Sequence, residues 1–169
     1  MIVTGSPGDH GVAVMVARND FDFEGNVESD CMPLLNLLPL WDIEGVKWMR
    51  DITRGGLATV VSEFAEEMGF TVVVDEARVP FSPPVRAIAE ILGIEPLYLP
   101  SEGKAVVVTS SDAADAALQH LRDVAGCPDA SIVGVVHRKK AEAAVILKTI
   151  SGGHRILESL TGELLPRIC

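Results

Sequence analysis

At 169 residues, with a formal net charge of −10, the chain is acidic and long enough for one domain. The charge argues against a nucleic-acid binder, which needs clustered positive charge, and against binding to anionic membranes. Hydrophobic residues make up 48% of the chain, which is enough for a full core. The three cysteines lack zinc-finger spacing, and their odd number without a signal peptide indicates a reducing cytoplasm.

The first third of the chain predicts a loop, a helix and a polar connection. Residues 5–11 are rich in turn-forming residues, and a short apolar helix is expected after them, ending near Arg18. Residues 19–30 are polar and acidic and are expected to lie on the surface. Residues 32–49 are apolar at mixed spacing, which favours a helix interrupted at Pro39.

The clearest predicted helix follows Thr53. Its apolar residues recur every three to four positions, as on one face of a helix: Leu57, Val60, Val61, Phe64, Ala65 and Met68. Gly69 is expected to end this helix, because glycine readily adopts the left-handed conformation found after helix C-termini.

Four runs rich in valine predict strands near residues 70–75, 104–109, 131–136 and 142–147. Further helices are expected at 85–92 and after Asp112, which would cap its helix. Helices and strands interleave, but the last two strands are adjacent in sequence. The pattern therefore predicts an α+β fold in which helices cover a layered β-sheet of mixed direction.

The same reading divides the chain into three segments. Residues 1–30 are expected to form a connecting loop, a short helix and an acidic linker. Residues 31–158 form the α+β domain, and residues 159–169 form a flexible tail that ends in Cys169. Because Ile2-Val3 is typical of the end of a strand, we also expect a further segment upstream and a lost partner surface there.

The segment Asp51-Ile52-Thr53-Arg54-Gly55-Gly56-Leu57 stands where the clearest helix begins. A helix N-terminus offers unpaired N–H groups to an anion, a carboxylate such as Asp51 suits Mg²⁺, and Arg54 suits phosphate. Alternatively, Asp51 or Thr53 is an ordinary helix cap and the glycines allow tight packing. The segment is not a Walker A loop, because no Gly-Lys-Ser/Thr follows.

Two other polar loops are candidates for chemistry. In Gly8-Asp9-His10-Gly11, Asp9 is most simply a helix cap, and His10 is either a base or a hydrogen-bonded loop histidine. Glu102 lies beside Gly103 at the mouth of a predicted buried strand, which suits a general base. The alternative there is a surface turn with an ion pair.

The chain ends in Pro166-Arg167-Ile168-Cys169. A thiol on a tether can act as a nucleophile at several sites in turn, although a cysteine there can also be incidental. Prenylation is excluded, because that motif needs three residues after the cysteine. Cys31 lies in an apolar segment and Cys127 follows a helix, so both are expected to be shielded.

Five segments, in this order, resemble the HypE family of nickel–iron hydrogenase maturation factors: Gly8 to Gly11, Arg50 to Leu57, Glu95-Pro96-Leu97-Tyr98, Glu102-Gly103-Lys104 and Pro166 to Cys169. The segment after Arg50 also resembles a wider ATP-binding superfamily that includes aminoimidazole ribonucleotide synthetase. Ile52 and Ser101 depart from the family pattern, which has Pro and Asn there. Ser101 leaves the hydrogen bonding of its loop in doubt.

The resemblance implies the C-terminal domain fold of that superfamily and the activity of an ATP-dependent carbamoyl dehydratase. A partner carbamoyltransferase would place a carbamoyl group on the Cys169 thiol, and ATP would activate its oxygen. Dehydration would give a protein thiocyanate, whose cyano group passes to iron on a complex of the HypC–HypD type. Cys169 would be the carrier nucleophile and Glu102 the base.

The resemblance also implies the nucleotide site. Asp51 would bind Mg²⁺ and ATP together with a set of loop residues: Thr53, Arg54, Gly55, Gly56, Asp9 and His10. An N-terminal domain that this sequence lacks would complete the site, so the chain alone is expected to be inactive and only the longer protein to form a homodimer. Two alternatives remain: another superfamily member that phosphorylates a small molecule, and a non-catalytic fragment that docks partners.

Overall fold

The computed structural model of the protein describes residues 1–18, 27–138 and 143–160. The strands are β1 Ile2–Val3, β2 Val46–Asp51, β3 Phe70–Asp75, β4 Ala105–Thr109, β5 Ser131–Ile132, β6 Gly134–Arg138, β7 Ala144–Lys148 and β8 His154–Leu157. The α-helices are α1 Asp9–Ala17, α2 Gly56–Met68, α3 Pro83–Leu92 and α4 Ala114–Asp123. Short 3-10 helices lie at Leu35–Asp42, Glu76–Arg78 and Pro96–Tyr98.

The eight described strands form two sheets. The first has the order β2-β4-β1-β5, and its paired strands are antiparallel. The second has the order β6-β3-β7-β8, and in it β3 and β7 run parallel while the other pairs are antiparallel. The α+β class with a mixed sheet is therefore confirmed, and the structure adds that the strands divide between two sheets.

Val133 marks the point where the chain passes from one sheet to the other. The predicted strand at 131–136 is split there into β5 and β6. Val133 is fully buried; its N–H donates to the Met1 carbonyl at 3.0 Å, and its own carbonyl accepts from the Asp75 N–H at 2.8 Å. One residue thus bonds to both sheets, which a local valine count does not reveal.

The first sheet is buried on both faces. Val106 and Val108 of β4 lie in the larger apolar core with α2, whereas Ala105 and Val107 lie in a smaller core with α4. This alternation is the two-residue period of a strand. Strand β1 lies between β4 and β5 and is fully buried, so the predicted lost partner surface at Ile2-Val3 is wrong.

Several predicted elements are confirmed and others need small corrections. Strand β3 has the predicted bounds, and Gly69 ends α2 with a φ of 66°. Met68 of the predicted buried face is exposed, because the last turn of α2 extends beyond the core. Asp112 does not cap α4: the N-cap position is Ala113, and the pKa of Asp112 is lowered mainly by a hydrogen bond with Ser110.

The helix predicted over 32–49 is wrong. The structure has the 3-10 helix Leu35–Asp42 and then strand β2, which pairs with β4 at the edge of the first sheet. Pro39 has no N–H to donate within a helix, and an edge strand with mixed exposure lacks a clear alternating pattern. No helix among the described residues is both long and apolar enough to cross a membrane.

The predicted division into segments stays a prediction, with one structural addition. Val3, Val12 and Met15 belong to the larger core, so residues 1–18 pack with the domain rather than beside it. Most of the predicted acidic linker and the tail beyond residue 160 lie outside the described residues.

Candidate functional site

Three of the predicted motif segments meet at one edge of the first sheet. The Ile52 N–H donates to the Lys104 carbonyl, and the Ser101 N–H donates to the Ile52 carbonyl, both at 2.9 Å. The Gly11 N–H donates to the Pro100 carbonyl at 3.0 Å. Residues far apart in sequence are thereby joined by backbone hydrogen bonds, which fix the loops relative to one another.

Ser101 holds two of these loops together. Its side chain is fully buried, and its Oγ accepts a hydrogen bond from the Gly8 N–H at 2.8 Å. The loop is therefore hydrogen-bonded although it has serine where the family pattern has asparagine, because the serine hydroxyl accepts from the buried Gly8 N–H.

Gly56 allows the start of α2 to lie against another backbone segment. Its φ is 64°, and a Cβ placed on it would lie 2.5 Å from the Leu97 carbonyl oxygen and 2.7 Å from that of Leu99. The Gly56 N–H donates to the Thr53 carbonyl at 3.1 Å. The N-cap of α2 is Gly55, and no side chain caps the helix, so the interpretation of Asp51 or Thr53 as the cap is wrong. The alternative that the glycines allow tight packing is confirmed for Gly56.

Asp51 and Arg54 form the exposed part of this site. Asp51 is the last residue of β2, opposite Ala105 on β4, and its side chain faces solvent. Arg54 is also exposed and forms no ion pair within the described part of the chain, whereas the neighbouring Arg50 pairs with Glu63 at 2.6 Å. A cation and a carboxylate are thus available at the surface beside the start of α2.

The fit to a magnesium ion is incomplete. Within residues 1–18, 27–138 and 143–160, no group of three or more His, Cys, Asp or Glu side chains is arranged to hold a metal. Asp51 can therefore supply one ligand, and the described residues do not build a closed site around it.

Asp30 is the site residue that sequence reasoning missed. Its side chain is only 4% exposed, its Oδ1 accepts from the Glu102 N–H at 3.0 Å, and its Oδ2 lies 3.6 Å from Lys104 Nζ. A Cβ on Gly103 would lie 1.9 Å from the Asp30 carbonyl oxygen, so only glycine permits this contact. Glu102 is half-buried and its backbone is fixed by Asp30. Nothing in the local sequence distinguishes Asp30 from a surface acid.

Asp9 and His10 connect elements around the same loops. Asp9 begins α1 but does not cap it, because the N-cap position is Gly8. Its Oδ1 accepts from Ser82 Oγ at 2.5 Å, and Ser82 caps α3, so Asp9 joins two helices. His10 is half-buried with its Nδ1 2.9 Å from Ser29 Oγ, so it is hydrogen-bonded as predicted, but it lies in the first turn of α1 and not in a loop.

The two described cysteines differ in exposure. Cys31 is exposed, so the prediction that it is shielded is wrong: the segment after Asp30 lies on the surface although it is apolar. Cys127 is half-buried, and burial raises the pKa of its thiol. Cys169 lies outside the described residues.

Apolar surface adjoins the exposed Asp51. A shallow groove of about 490 Å³ is lined by Leu34, Leu37, Leu38, Trp41, Met49, Arg50, Asp51 and Ala105. Trp41 is 52% exposed and Leu38 is 58% exposed. The site is therefore bordered on this side by side chains that a monomeric surface usually hides.

This fold and these motif segments are found in known proteins. A family model for the C-terminal domain of AIR synthase related proteins matches residues 1–146. The chain belongs to this family. Within it, the carbamoyl dehydratase HypE of Rhodobacter capsulatus is 41% identical to this chain over 172 residues, covering 99% of the chain and 50% of that relative. The predicted resemblance is confirmed.

Solved structures agree with this AIR synthase related fold. One of hydrogenase maturation protein HypE in complex with ATP matches with a TM-score of 0.90 at 36% identity, covering 99% of this chain and 52% of that one. A HypE–HypF complex matches with a TM-score of 0.87 at 35% identity, covering 94% and 52%. The chain spans about half the length of the curated relatives it matches.

Proposed function

We propose that the chain is the C-terminal part of an ATP-dependent carbamoyl dehydratase that acts in the maturation of nickel–iron hydrogenases. The observation that carries this proposal is the meeting of three motif segments, at residues 8–11, 51–56 and 101–104, at one exposed edge. The HypE names of the relatives support the same reading.

The reaction converts a carbamoyl group on the Cys169 sulfur into a thiocyanate. The carbamoyl oxygen attacks the γ-phosphorus of ATP, and ADP leaves. Loss of the two nitrogen protons then breaks the carbon–oxygen bond, so that oxygen departs in inorganic phosphate and a carbon–nitrogen triple bond forms. Thiocarbamate and ATP thus give thiocyanate, ADP, phosphate and one proton, with no redox change.

The candidate site residues have different roles in this reaction, according to their positions. Glu102 is the base that takes a nitrogen proton, because Asp30 fixes its backbone beside the loops that meet here. Arg54 and the Gly55 backbone bind phosphate oxygens, while Gly56, Thr53, Asp9 and His10 shape the turn and its support. Asp51 would hold Mg²⁺, which would neutralise the charge of the phosphate groups.

Partners follow from the chemistry. A carbamoyltransferase of the HypF type loads the thiol; the solved HypE–HypF complex supports this assignment. An iron-carrying complex of the HypC–HypD type receives the cyano group. The reaction takes place in the cytoplasm, and the homodimer forms through the half of the longer protein that this sequence lacks. The chain by itself hydrolyses no ATP at a useful rate.

The decisive experiment uses this chain joined to the N-terminal half of a HypE relative. With carbamoylated protein and ATP, mass spectrometry should detect the loss of one water from a peptide containing Cys169. Cys169→Ala should abolish this product, whereas Cys31→Ser, which removes the exposed thiol, should leave it unchanged. Thiocyanate formed in the Cys169→Ala variant would refute the carrier role.

A second experiment separates the base from the scaffold. Glu102→Gln keeps the backbone N–H that donates to Asp30 but removes the basic carboxylate. It should lower the single-turnover rate by about a hundredfold, within the usual range for a lost general base, while circular dichroism shows that the variant remains folded. An unchanged rate would remove Glu102 from the mechanism.

A further inference from the structure

The segment Glu95-Pro96-Leu97-Tyr98 has so far no role in the proposed function, although it belongs to the family pattern. In the structure it contacts the last described residues of the chain. Tyr98 Oη donates to the Glu158 carbonyl at 2.8 Å, and the Arg155 guanidinium forms an ion pair with the Glu95 carboxylate. The segment therefore holds the strand end from which the C-terminal tail departs.

The other side of this segment contacts the start of α2. A Cβ placed on Gly56 would lie within 2.7 Å of the Leu97 and Leu99 carbonyl oxygens. The same short piece of chain is thus packed between the Gly55-Gly56 turn and the root of the tail, defined here as residues 157–160. A displacement of either neighbour must be accommodated by the segment, because close-packed backbone has no free space.

Helix α2 itself completes the connection. The Leu160 N–H donates to Thr59 Oγ1 at 3.3 Å, and Ser62 Oγ donates to the Leu157 carbonyl at 3.3 Å. Thr59 Oγ1 also lies 2.3 Å from the place of a Cβ on Gly55. The tail root consequently follows α2 toward its N-terminus and ends one turn from the glycines.

We propose that Tyr98 and Thr59 are positioning residues that fix the tail root against the Gly55-Gly56 turn, so that the tethered thiol is delivered to the nucleotide site. This inference rests on the proposed function. Cys169 lies nine positions after Leu160, so the thiol can reach at most about 30 Å from the root. If the root is fixed, the region that the thiol can reach is centred on the start of α2. If the root is released, that region is no longer centred there.

The contacts can be removed one at a time. Tyr98→Phe deletes only the hydroxyl that donates to Glu158, and Thr59→Val replaces the acceptor of the Leu160 N–H by a methyl group of similar size. Thr59→Ser keeps the acceptor and serves as the conservative rescue. Thr109→Val is a matched control on the first sheet, since Thr109 Oγ1 is buried without a hydrogen-bond partner among the described residues.

The first measurement is amide hydrogen exchange of the unliganded chain, read on peptides that cover residues 155–160. A hydrogen bond that contributes about 1 kcal/mol changes local opening about fivefold. Tyr98→Phe and Thr59→Val should each accelerate exchange there about fivefold, while Thr59→Ser and Thr109→Val should not. Unchanged exchange in both variants would show that the contacts do not hold the root, and the inference would be wrong.

The second measurement is single-turnover thiocyanate formation in the joined protein. Tyr98→Phe and Thr59→Val should lower the rate at saturating ATP at least threefold and leave the ATP concentration for half-maximal rate within twofold, because they misplace the carrier and not the nucleotide. Faster exchange with an unchanged rate overturns the positioning role. A raised ATP requirement would instead make Thr59 a nucleotide contact and also overturn it.

Cys169→Ala keeps the two proposals separable. If that variant still forms thiocyanate, the proposed function fails whatever Tyr98 and Thr59 do. If it is inactive while Tyr98→Phe and Thr59→Val react at the rate of the unchanged protein, the proposed function stands and only the positioning role is refuted.

Discussion

The candidate site has two parts that differ in burial. Its framework consists of buried or closely packed residues, each of which contacts a segment distant in sequence: Gly8, Asp30, Gly56, Ser101 and Lys104. Its rim consists of Asp51 and Arg54, whose exposed side chains make no hydrogen bond or ion pair in the described part of the chain, and the half-buried Glu102. The framework residues hold the loops together, and the rim carries the side chains proposed for chemistry.

This difference shows how the fold serves the site. Every framework contact is between segments far apart in sequence, such as Gly8 with Ser101 and Asp30 with Glu102, so the framework forms only when the whole domain folds. The rim faces solvent next to an apolar groove, and therefore offers its charges to a nucleotide or a partner surface. Substitutions in the framework should act on stability, and those in the rim on activity.

The largest effect is expected at Gly56. Gly56→Ala should lower the free energy of unfolding by at least about 3 kcal/mol, because a left-handed conformation costs about 1 kcal/mol and the collision with the Leu97 carbonyl adds about 2 kcal/mol. Urea unfolding of the chain, followed by circular dichroism, measures the change.

Gly93 provides the matched control for that substitution. It has the same φ of 64°, but a Cβ there would meet nothing within 4 Å. Gly93→Ala should therefore cost only the conformational part, about 1 kcal/mol. Equal losses for the two alanine variants would mean that the close approach of Gly56 to Leu97 is not a rigid contact.

Asp30 is the next most sensitive framework residue. Asp30→Ala leaves the Lys104 charge and the Glu102 N–H without their partner at a site where the carboxylate is 4% exposed, and breaking such a buried pair costs about 3 kcal/mol. Lys148→Ala breaks the exposed pair with Asp75 and should cost less than about 1 kcal/mol. If urea unfolding gives similar losses for both, Asp30 does not hold the framework.

The sequence predicted much of this fold, and the misses have physical causes. Strand β3 and helix α2 have strong local patterns, and their bounds were predicted within a few residues. Strand β2 was missed because a partly exposed edge strand has no clear alternation. The split at Val133 depends on which sheet each neighbour joins, and a valine-rich run carries no information on that.

The site was predictable where a motif exists and unpredictable where a contact is tertiary. The resemblance located Gly8, Gly56 and Glu102, but their mutual contacts depend on folding. Asp30 and Glu102 are 72 positions apart, and a buried acid looks in sequence like a surface acid. Cys31 was misjudged because apolar neighbours do not guarantee burial when the segment lies on the surface.

Ser101 should give a smaller loss than Asp30. Ser101→Ala leaves the buried Gly8 N–H without an acceptor, which costs about 2 kcal/mol. Ser131→Ala removes a hydroxyl that donates to the Arg78 carbonyl at the surface, and should change the free energy of unfolding by less than about 0.5 kcal/mol. Should Ser101→Ala prove as mild as this control, another group or a water molecule satisfies Gly8.

The smallest effect on stability is expected at the rim. Asp51→Asn and Arg54→Gln should each change the free energy of unfolding by less than about 0.5 kcal/mol, because both side chains are exposed and unpaired among the described residues. In the joined protein, each should nevertheless lower ATP-dependent thiocyanate formation at least about tenfold, since hydrogen bonds to charged groups contribute about 1.5–3 kcal/mol.

Arg78→Gln, at an arginine whose side chain is 64% exposed, is the charge-matched control and should affect neither quantity. A rim variant that unfolds as easily as Asp30→Ala, or that retains full activity, would show that burial does not separate the residues that build this site from those that act in it.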